Sequence, residues 1–281
     1  MELQEKDIRL FQSALRKHSD YNFDDYSITS LRRRLTRILL ELDSSMEDLI
    51  AKAEADAEYM AGIVEKLTVH TTELFRDPPV WKEIREKLLP AWSERSKLDI
   101  WHPGCSTGQE VYSMMMVLDD LGMLEKSRIC ASDLNPKVLD TARLGRYRYR
   151  FNQSYLENFD KVMLGGEGYI LPNHEAAWKR YFSIDHKRDA LQMHASLCSK
   201  PVYKKLDLVQ DSNLFLSKFD LIVCRNVIIY FNTELQNKIF DFFYNNLKPD
   251  GVLILGVHES ILGPASRKFI KQGPFYTRTA E

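Results

Sequence analysis

The stretch IWHPGCSTGQEVYS, residues 100–113, decides the fold of this 281-residue chain. An apolar, strand-like run enters a turn that contains Gly104 and Gly108, and a helix-like run follows directly. A strand, a glycine turn and a helix in this order commonly form the place where an α/β protein holds a nucleotide. The stretch therefore predicts an α/β domain with a ligand beside this turn.

The remainder of the C-terminal half alternates between strands and helices in the same way. Predicted strands are LDIWHPG, SRICASDLN, FDLIVCRN and GVLILGV, and predicted helices are EVYSMMMVLDDLG, PKVLDTARLG and TELQNKIFDFFYNNL. Strands that are apolar almost throughout are typical of a parallel sheet covered on both faces. Residues 76–281 are thus predicted to form a doubly wound α/β domain. Within it, residues from about 150 to 206 fit neither pattern and predict an inserted small subdomain.

Residues 1–75 predict a small, all-helical N-terminal domain. Its clearest helix is ITSLRRRLTRILLEL, residues 28–42, whose apolar positions follow the helical period. At about 100° per residue, Arg33, Arg34 and Arg37 fall within one arc on the other side of this helix. No acidic residue lies between positions 26 and 40 to balance them. The basic face is either a solvated surface or, as we interpret it, a site for a negatively charged partner.

The composition is that of an ordinary globular protein, with 44% hydrophobic residues, 28% charged residues and a formal net charge of −1. No overall field directs such a chain to nucleic acid or to a membrane surface. The N-terminus lacks the features of a signal peptide and no apolar run is as long as a membrane span, so a cytoplasmic chain is expected. The four cysteines are far apart and lack metal-ligand spacing, which predicts reduced, structural thiols and no metal site.

The side chains of the glycine turn restrict the ligand. A P-loop would place a lysine where Gln109 and Glu110 stand, and a dinucleotide fold would place its second glycine where Ser106 stands. Asp133 nevertheless ends the next strand, where an acceptor for ribose hydroxyls belongs. Ribose recognition without phosphate recognition points to S-adenosylmethionine, whose ammonium group Glu110 could receive. Alternatively, Glu110 is only an acid favoured by the first turn of its helix.

Two further segments contribute polar residues to the same edge of the predicted sheet. Asn226 ends the strand DLIVCRN and could reach the cofactor, with Tyr230 about one helical turn farther on. The alternatives are a helix cap for Asn226 and a core aromatic for Tyr230. The segment LTVHTTELFRDPPVW, residues 67–81, carries Thr72 and Arg76 just before a breaker, at the junction of the two predicted domains. Such a junction is a common position for a binding site.

Taken together, four motifs resemble those of the CheR family of chemotaxis receptor methyltransferases. They are HTTELFRDP, GCSTGQEVYS, ASDLNPKVLDTARLGRY and CRNVIIYF, in this order along the chain. The resemblance covers almost the whole chain and is weakest over residues 150–206. It implies a helical N-terminal domain followed by a Rossmann-like class I methyltransferase domain. It also implies transfer of methyl from S-adenosylmethionine to glutamate side chains of chemoreceptors, with S-adenosylhomocysteine as the product.

The resemblance also implies a role for individual residues. Those implied to bind the cofactor are Thr72, Arg76, Gly104, Glu110, Asp133, Asp207, Leu208, Asn226 and Val227. Arg76 and Tyr230 are implied as the catalytic pair. Arg33, Arg34 and Arg37 are implied to bind the cytoplasmic helices of the receptor, which is the partner expected here.

Four positions depart from the pattern of the family. His70 stands in place of Asn, Leu74 in place of Phe, Gln109 in place of the first of two Glu residues, and Asp207 in place of an Asn near the adenine. Gln109 matters little if Glu110 is the ligand, whereas His70, Leu74 and Asp207 keep open a scaffold that binds S-adenosylmethionine without catalysis. A class I methyltransferase acting on another substrate is the second alternative.

Overall fold

The structure is a computed structural model, and its description is limited to part of the chain. The described residues are 3–19, 21–68, 72–150, 152, 154–165 and 174–279. The chain divides into two units: unit 1 is Met1–Val69 with Val227–Phe240, and unit 2 is His70–Asn226 with Asp241–Glu281. The domain bounds given above, residues 1–75 and 76–281, stay a prediction.

The helices and strands have the following bounds. The helices are α1 (Glu5–His18), α2 (Ile28–Leu42), α3 (Met46–Ala55), α4 (Ala57–Leu67), α5 (Pro78–Glu83), α6 (Gln109–Asp120), α7 (Pro136–Leu144), α8 (Ser154–Phe159), α9 (His174–Lys179), α10 (Ala195–Cys198) and α11 (Thr233–Asn246). The strands are β1 (Leu98–Pro103), β2 (Ser127–Asp133), β3 (Arg146–Arg148), β4 (Phe182–Asp185), β5 (Ala190–Met193), β6 (Val202–Lys205), β7 (Phe219–Cys224), β8 (Leu247–Leu255), β9 (Phe269–Gln272) and β10 (Phe275–Arg278). Short 3₁₀ or π-helical turns cover Ile84–Leu88, Pro90–Trp92, Asp160–Leu164, Ile228–Tyr230 and Gly263–Lys268.

Unit 1 is built on helices α1 to α4, whose apolar faces share one core. Helix α2 begins and ends where its pattern predicts. The side chain of Ser27 caps its first turn by accepting from the Ser30 N–H group, and Asp43 ends it in the left-handed conformation. Its buried face carries Leu31 and Leu35, so the apolar stripe of the sequence is the face turned to the core.

Unit 2 contains a seven-stranded sheet with the order β6-β2-β1-β7-β8-β10-β9. The pairs from β6 to β8 are parallel, and β10 adds antiparallel to β8 and to β9. Strands β1 and β7 are buried along their whole length, as their apolar sequences predict. The predicted fold class, a mostly parallel α/β sheet preceded by a helical region, is confirmed.

The glycine turn between β1 and α6 is tight. Gly104 and Gly108 have φ angles of 70° and 92°, and Ser106 between them has a φ of 50°. A Cβ atom on Gly108 would lie 2.8 Å from the Cβ of Ala142 in α7. Gly108 is therefore required both by its backbone conformation and by the close approach of α7.

A second, three-stranded antiparallel sheet has the order β3-β5-β4; β4 and β5 lie in the inserted segment, and β3 directly precedes its predicted start. Strand β6, which the prediction placed inside the insertion, instead pairs parallel with β2 in the main sheet. The predicted end of the insertion at residue 206 is therefore wrong by one strand. β6 has the sequence VYKK and lies half exposed at the sheet edge, so it lacks the apolar signature of the central strands.

Two buried aspartates lie near the first residues of β1 and β7. The Nζ of Lys248 donates to Asp99 Oδ2 at 2.9 Å and to Asp220 Oδ2 at 2.7 Å. Burial alone would raise the pKa of Asp99, but the hydrogen bond and charge of Lys248 outweigh burial, and the pKa is lowered. This ion cluster is part of the framework of the sheet, at the strand ends opposite to the glycine turn.

Among the described residues, no helix combines the length and apolar character needed to cross a bilayer. Within the same residues, no group of three or more His, Cys, Asp and Glu side chains is arranged to hold a metal ion.

Candidate active site

The backbone N–H groups of the glycine turn are largely used inside the protein. Cys105 donates to the carbonyl of Ser132, Gly108 donates to the carbonyl of Cys105, and both bonds measure 3.0 Å. The N–H of Ser106 donates to Asp133 Oδ2 at 2.9 Å. A phosphate-binding loop instead directs such groups at its ligand. The geometry thus agrees with the absence of a phosphate-binding sequence.

Asp133 is held at the carboxyl end of β2. Its Oδ2 accepts from Ser106, and its Oδ1 accepts from the N–H of Asn135 at 3.0 Å. Its own carbonyl accepts from the N–H of Leu206, at the end of β6. The structure thereby brings Asp133 close to the segment that carries Asp207, at the edge of the sheet where ligands of α/β proteins bind.

Asp207 departs from the Asn that the family resemblance implies. Its Oδ1 accepts from the N–H of Val209 at 2.8 Å, and its Oδ2 accepts from Gln210 Nε2 at 3.1 Å. Burial raises the pKa of Asp207 in spite of these bonds. The neighbouring Leu208 is partly buried.

Glu110 lies in the first turn of α6 between two basic side chains. Its Oε1 is 3.0 Å from Nδ1 of His102, which is fully buried, and its Oε2 is 3.5 Å from Nη1 of Arg225. The side chain of Glu110 itself keeps 15% of its exposure. A carboxylate fixed in this way, with part of its surface open, can receive a cationic ligand.

Arg76 lies on a turn whose backbone is bonded on several sides. Its two neighbours, Phe75 and Asp77, both adopt left-handed conformations, with φ angles of 51° and 57°. The carbonyl of Arg76 accepts from Trp81 Nε1 at 3.0 Å and from Arg225 Nη2 at 2.8 Å. Two non-glycine residues at positive φ cost about 1–3 kcal/mol each and persist only where the surroundings impose them. The turn therefore fixes the backbone of Arg76.

Gln109 connects the glycine turn to Thr72. Its Oε1 accepts from the hydroxyl of Thr107 at 2.7 Å, and its Nε2 donates to the hydroxyl of Tyr155 at 3.2 Å. That hydroxyl donates onward to the carbonyl of Thr72 at 3.0 Å. Burial raises the pKa of Tyr155 to about 12, so it remains a donor. A glutamate at position 109 could not donate to Tyr155, which gives this departure from the family pattern a physical role.

Asn226 follows β7 and also has a positive φ, of 60°. Its N–H donates to Glu259 Oε2 at 2.7 Å, and the N–H of Gly256 donates to the same oxygen at 2.6 Å. A Cβ on Gly256 would lie 3.0 Å from Asn226 Nδ2. Glu259 and Gly256, which sequence reasoning did not single out, therefore hold Asn226 in place.

Two buried thiols, Cys105 and Cys224, lie near the carboxylates of this site. Burial raises the pKa of Cys105 well above its ordinary value, and the carboxylates of Asp133 and Glu110 raise it further. The pKa of Cys224 is raised by burial and then by Glu259 and Glu110. A negative environment of this kind suits S-adenosylmethionine, which carries an ammonium and a sulfonium and no phosphate. The residues at this edge of the sheet fit that cofactor.

Tyr230 lies in unit 1, where helix α2 supports it. Its carbonyl accepts from the N–H of Ser27 at 2.9 Å, and the guanidinium of Arg34 lies 4.0 Å from the centre of its ring. Arg34 is buried and also donates to the carbonyl of Leu67. The expectation that Arg34 belongs to the exposed basic face is therefore wrong, since it is at the edge of the apolar stripe and the ring of Tyr230 covers it. Val227, in the same unit, accepts through its carbonyl from the N–H of Tyr230.

Arg33 and Arg37 are exposed on α2, as predicted. Arg37 is not without a local partner, however, because its Nε donates to Glu41 Oε1 at 2.9 Å. Glu41 also binds Lys66 at 3.1 Å, and the hydrogen bonds of Lys66 and then Arg37 lower its pKa. The pairing of Arg37 was missed because Glu41 lies directly after the acid-free stretch, one helical turn beyond Arg37.

The family model described as CheR methyltransferase, SAM binding domain, matches residues 70–161 and 169–274. The chain belongs to the CheR methyltransferase family. S-adenosylmethionine is its cofactor, and its general activity is that of a methyltransferase dependent on this cofactor. The family resemblance of the four motifs is confirmed. Which residues hold the cofactor stays a prediction.

Known relatives extend this similarity over most of the chain. The Pseudomonas putida methyltransferase Cher3 is 32% identical over 256 residues, covering 91% of this chain and 89% of that protein. A chemotaxis protein methyltransferase of Listeria monocytogenes is 26% identical over 264 residues, covering 93% and 92%. Among solved structures, magnesium protoporphyrin IX methyltransferase from Synechocystis covers 72% of this chain at 14% identity, with a TM-score of 0.37 that supports no further conclusion.

Sequence reasoning missed two residues that bind Glu110 in the structure, His102 and Arg225. Both residues lie at the carboxyl ends of strands that are buried. Because a buried charge or imidazole needs a partner, their place in apolar strands could have indicated that they bind a polar group of the site. Of the four departures from the family pattern, Leu74 is a fully buried core residue, and His70 lies outside the described residues.

Proposed function

We propose that this CheR-family methyltransferase transfers the methyl group of S-adenosylmethionine to glutamate side-chain carboxylates of a chemoreceptor, forming methyl esters. Relatives named chemotaxis protein methyltransferase, from Listeria monocytogenes and Vibrio cholerae, support this assignment of the substrate. The cytoplasmic helical region of a receptor is the proposed partner.

The observation that carries the proposal is the hydrogen-bonded turn that fixes the backbone of Arg76 in the same unit as Glu110 and Asp133. A glutamate side chain has a pKa of about 4.3, so the acceptor is already ionised near neutral pH and needs no general base. When bound, S-adenosylmethionine supplies a methyl group activated by its sulfonium. The task of the protein is to align the acceptor, and alignment can contribute about 7–11 kcal/mol. Arg76 would hold the acceptor carboxylate, while Glu110 and Asp133 would bind the amino acid and ribose ends of the cofactor.

In unit 1, we assign Tyr230 to the transfer site and the exposed Arg33 and Arg37 to receptor binding. The contact between Arg37 and Glu41 is an exposed ion pair, and such pairs contribute little to stability because solvent screens the charges. Acidic groups of a partner can therefore replace it at little cost. Arg34 takes a different role, since its guanidinium is committed to Tyr230 and to the carbonyl of Leu67.

The reaction is tested with methyl-labelled S-adenosylmethionine and a cytoplasmic receptor fragment. Label that leaves the protein fraction as methanol in mild base identifies a carboxyl methyl ester. Arg76→Ala is expected to lower this transfer by at least about 100-fold while cofactor binding is retained. Arg85→Ala is the control, because Arg85 binds Asp120 at the surface of the same unit. Full activity of the Arg76 variant would contradict its assignment.

Receptor binding is tested by charge reversal on α2. Arg33→Glu with Arg37→Glu is expected to raise the KM for the receptor fragment and to leave cofactor affinity unchanged. Arg9→Glu is the matched control, because Arg9 forms a similar exposed pair with Glu5, at 3.0 Å, on α1. An unchanged KM would mean that α2 is not the receptor surface and would favour another methyl acceptor. Normal cofactor binding without transfer to any receptor would favour a non-catalytic scaffold.

A further inference from the structure

Arg225 is a buried charge for which the proposed reaction has not yet supplied a role. It directly follows β7, and its side chain is only 1% exposed. Removing a guanidinium from water is costly, so a buried arginine is retained only where several groups compensate its charge. The identity of those groups indicates what the residue does.

The partners of Arg225 come from the turn that carries Arg76 and from Glu110 in helix α6. Its Nη2 donates to Asp77 Oδ2 at 2.6 Å and to the carbonyl of Arg76 at 2.8 Å. Its Nη1 lies 3.5 Å from Glu110 Oε2, and its guanidinium is 5.9 Å from the ring centre of Trp81. One planar group thus joins the turn that presents Arg76 to the carboxylate proposed to bind the cofactor.

The charges explain why the arginine is needed at this point. Asp77 and Glu110 together carry two negative charges, and Arg225 supplies one positive charge that lies closer to Asp77 than to Glu110. Arg225 therefore compensates Glu110 less closely than Asp77, and Glu110 is the carboxylate open to a cationic ligand. His102 holds the other oxygen of Glu110, so the carboxylate has one orientation. A displacement of Glu110 toward a ligand changes the electrostatic attraction between Glu110 and Arg225. Because Arg225 donates to the carbonyl of Arg76, that change also acts on the turn that carries Arg76.

We propose that Arg225 is a positioning residue that couples occupation of Glu110 by the cofactor to the placement of Arg76. The inference rests on the proposed function, because it takes Glu110 as a cofactor ligand and Arg76 as the group that holds the acceptor. Lysine cannot replace arginine here, since a single ammonium cannot reach a carbonyl and two carboxylates in the geometry of a planar fork.

A second arginine–aspartate pair in unit 2 provides a control, although its arginine, Arg95, is 32% exposed where Arg225 is 1% exposed. Arg95 Nη1 donates to Asp220 Oδ1 at 2.6 Å, the same length as the bond from Arg225 to Asp77. Asp220 is at the opposite end of β7 and belongs to the ion cluster of the framework. Arg95→Lys therefore perturbs an equally short arginine–aspartate pair without touching the proposed site.

The first measurement follows the indole N–H of Trp81 by NMR while S-adenosylhomocysteine is added to the full chain. This group donates to the same Arg76 carbonyl that accepts from Arg225, so it reports movement of the turn. The resonance is expected to shift in the wild type and in Arg95→Lys. In Arg225→Lys the shift is expected to be lost, although calorimetry shows S-adenosylhomocysteine still binding, weakened by no more than about tenfold. Trp81→Phe assigns the resonance, and equal shifts in all three proteins would overturn the coupling.

The second measurement compares transfer rates at saturating cofactor and receptor fragment. Arg225→Lys is expected to lower kcat by about 10- to 100-fold, the cost of misplacing a positioning group, with Arg95→Lys within about twofold of the wild type. Equal kcat values for the two variants, together with equal losses of thermal stability, would reduce Arg225 to a structural role. If Arg225→Lys does not fold, Asp77→Ala removes the shortest of its contacts and is expected to abolish the same shift. A wild type that yields no methyl ester would contradict the proposed function, whereas the NMR comparison needs no receptor and still decides the coupling.

Discussion

Replacing Gly108 with alanine tests the tightest packing contact of the glycine turn. The residue has a φ of 92°, and an added Cβ would lie 2.8 Å from the Cβ and 3.2 Å from the Cα of Ala142. Both the backbone conformation and helix α7 oppose a side chain here. We expect Gly108→Ala to destabilise unit 2 and to weaken binding of S-adenosylhomocysteine, because the turn must move away from α7.

The expected loss in the free energy of unfolding for Gly108→Ala has two contributions. Left-handed backbone costs an alanine about 1–2 kcal/mol relative to glycine. Forcing an extra methyl group into a packed contact costs about 1–3 kcal/mol more. Gly108→Ala is therefore expected to lower the free energy of unfolding by about 2–5 kcal/mol. Gly122→Ala is the matched control, because Gly122 has a φ of 67° and no atom within 4 Å of its added Cβ, so only the backbone cost applies.

A second substitution isolates the contact itself. Ala142→Gly removes the methyl group that Gly108→Ala would strike, at a cost of about 1 kcal/mol for glycine in a helix. If the contact is the cause, the double variant is expected to recover about 1–3 kcal/mol relative to the sum of the two single variants. Urea unfolding followed by circular dichroism measures the wild type and the four variants. Equal losses for Gly108→Ala and Gly122→Ala, with additive behaviour of the double variant, would refute the reasoning.

Three further predictions concern other parts of the molecule. Asp207→Asn is expected to raise the urea midpoint at pH 7 but not at pH 3.5: burial raises the pKa of this carboxyl, so its contribution to stability falls as pH rises from about 3.9 through the higher folded value. Lys248→Met is expected to lower stability at pH 7 by about 1–3 kcal/mol. Because the lowered pKa of Asp99 contributes stability that is lost as pH falls through its folded value, this difference is expected to shrink below about pH 4, and a constant difference would contradict it. Arg34→Lys is expected to lower kcat by about 2- to 30-fold at unchanged receptor KM, since it weakens a contact with Tyr230 of the kind that contributes about 0.5–2 kcal/mol; a change in KM alone would instead indicate receptor binding.

Elements whose stabilisation is local were predictable from the sequence. Helix α2 has the bounds that its apolar period indicates, and α7 begins at Pro136 and ends before Gly145, as the residue types at its ends predict. Strand β6 was missed because its place at the edge of the main sheet depends on pairing with β2, and its own four residues carry no distinctive pattern.

The chemistry of the glycine turn was also readable in part. Ser106, Gln109 and Glu110 exclude a phosphate ligand by their types alone, and the family match agrees with the cofactor inferred from them. The helical period was a less reliable guide for Arg34. It gives the direction of each side chain around the helix axis, but it does not show how much of the helix surface other segments bury. The neighbouring segment with Tyr230 covers Arg34, and that contact spans almost two hundred residues of sequence.

What the sequence determined by itself was the alternation of strands and helices, which follows from short-range periodicity, and the class of cofactor, which follows from residue types in the glycine turn. The family was indicated by the resemblance of four motifs. Only the tertiary structure decided which charges meet. Arg225 joins Glu110 of α6 to the turn at Arg76. The hydroxyl of Tyr155 joins Gln109 of the same helix to Thr72. These bonds connect segments that are far apart in sequence. The physical reason is that a buried polar group must find partners, while the partners it finds depend on how the sheet orders its strands.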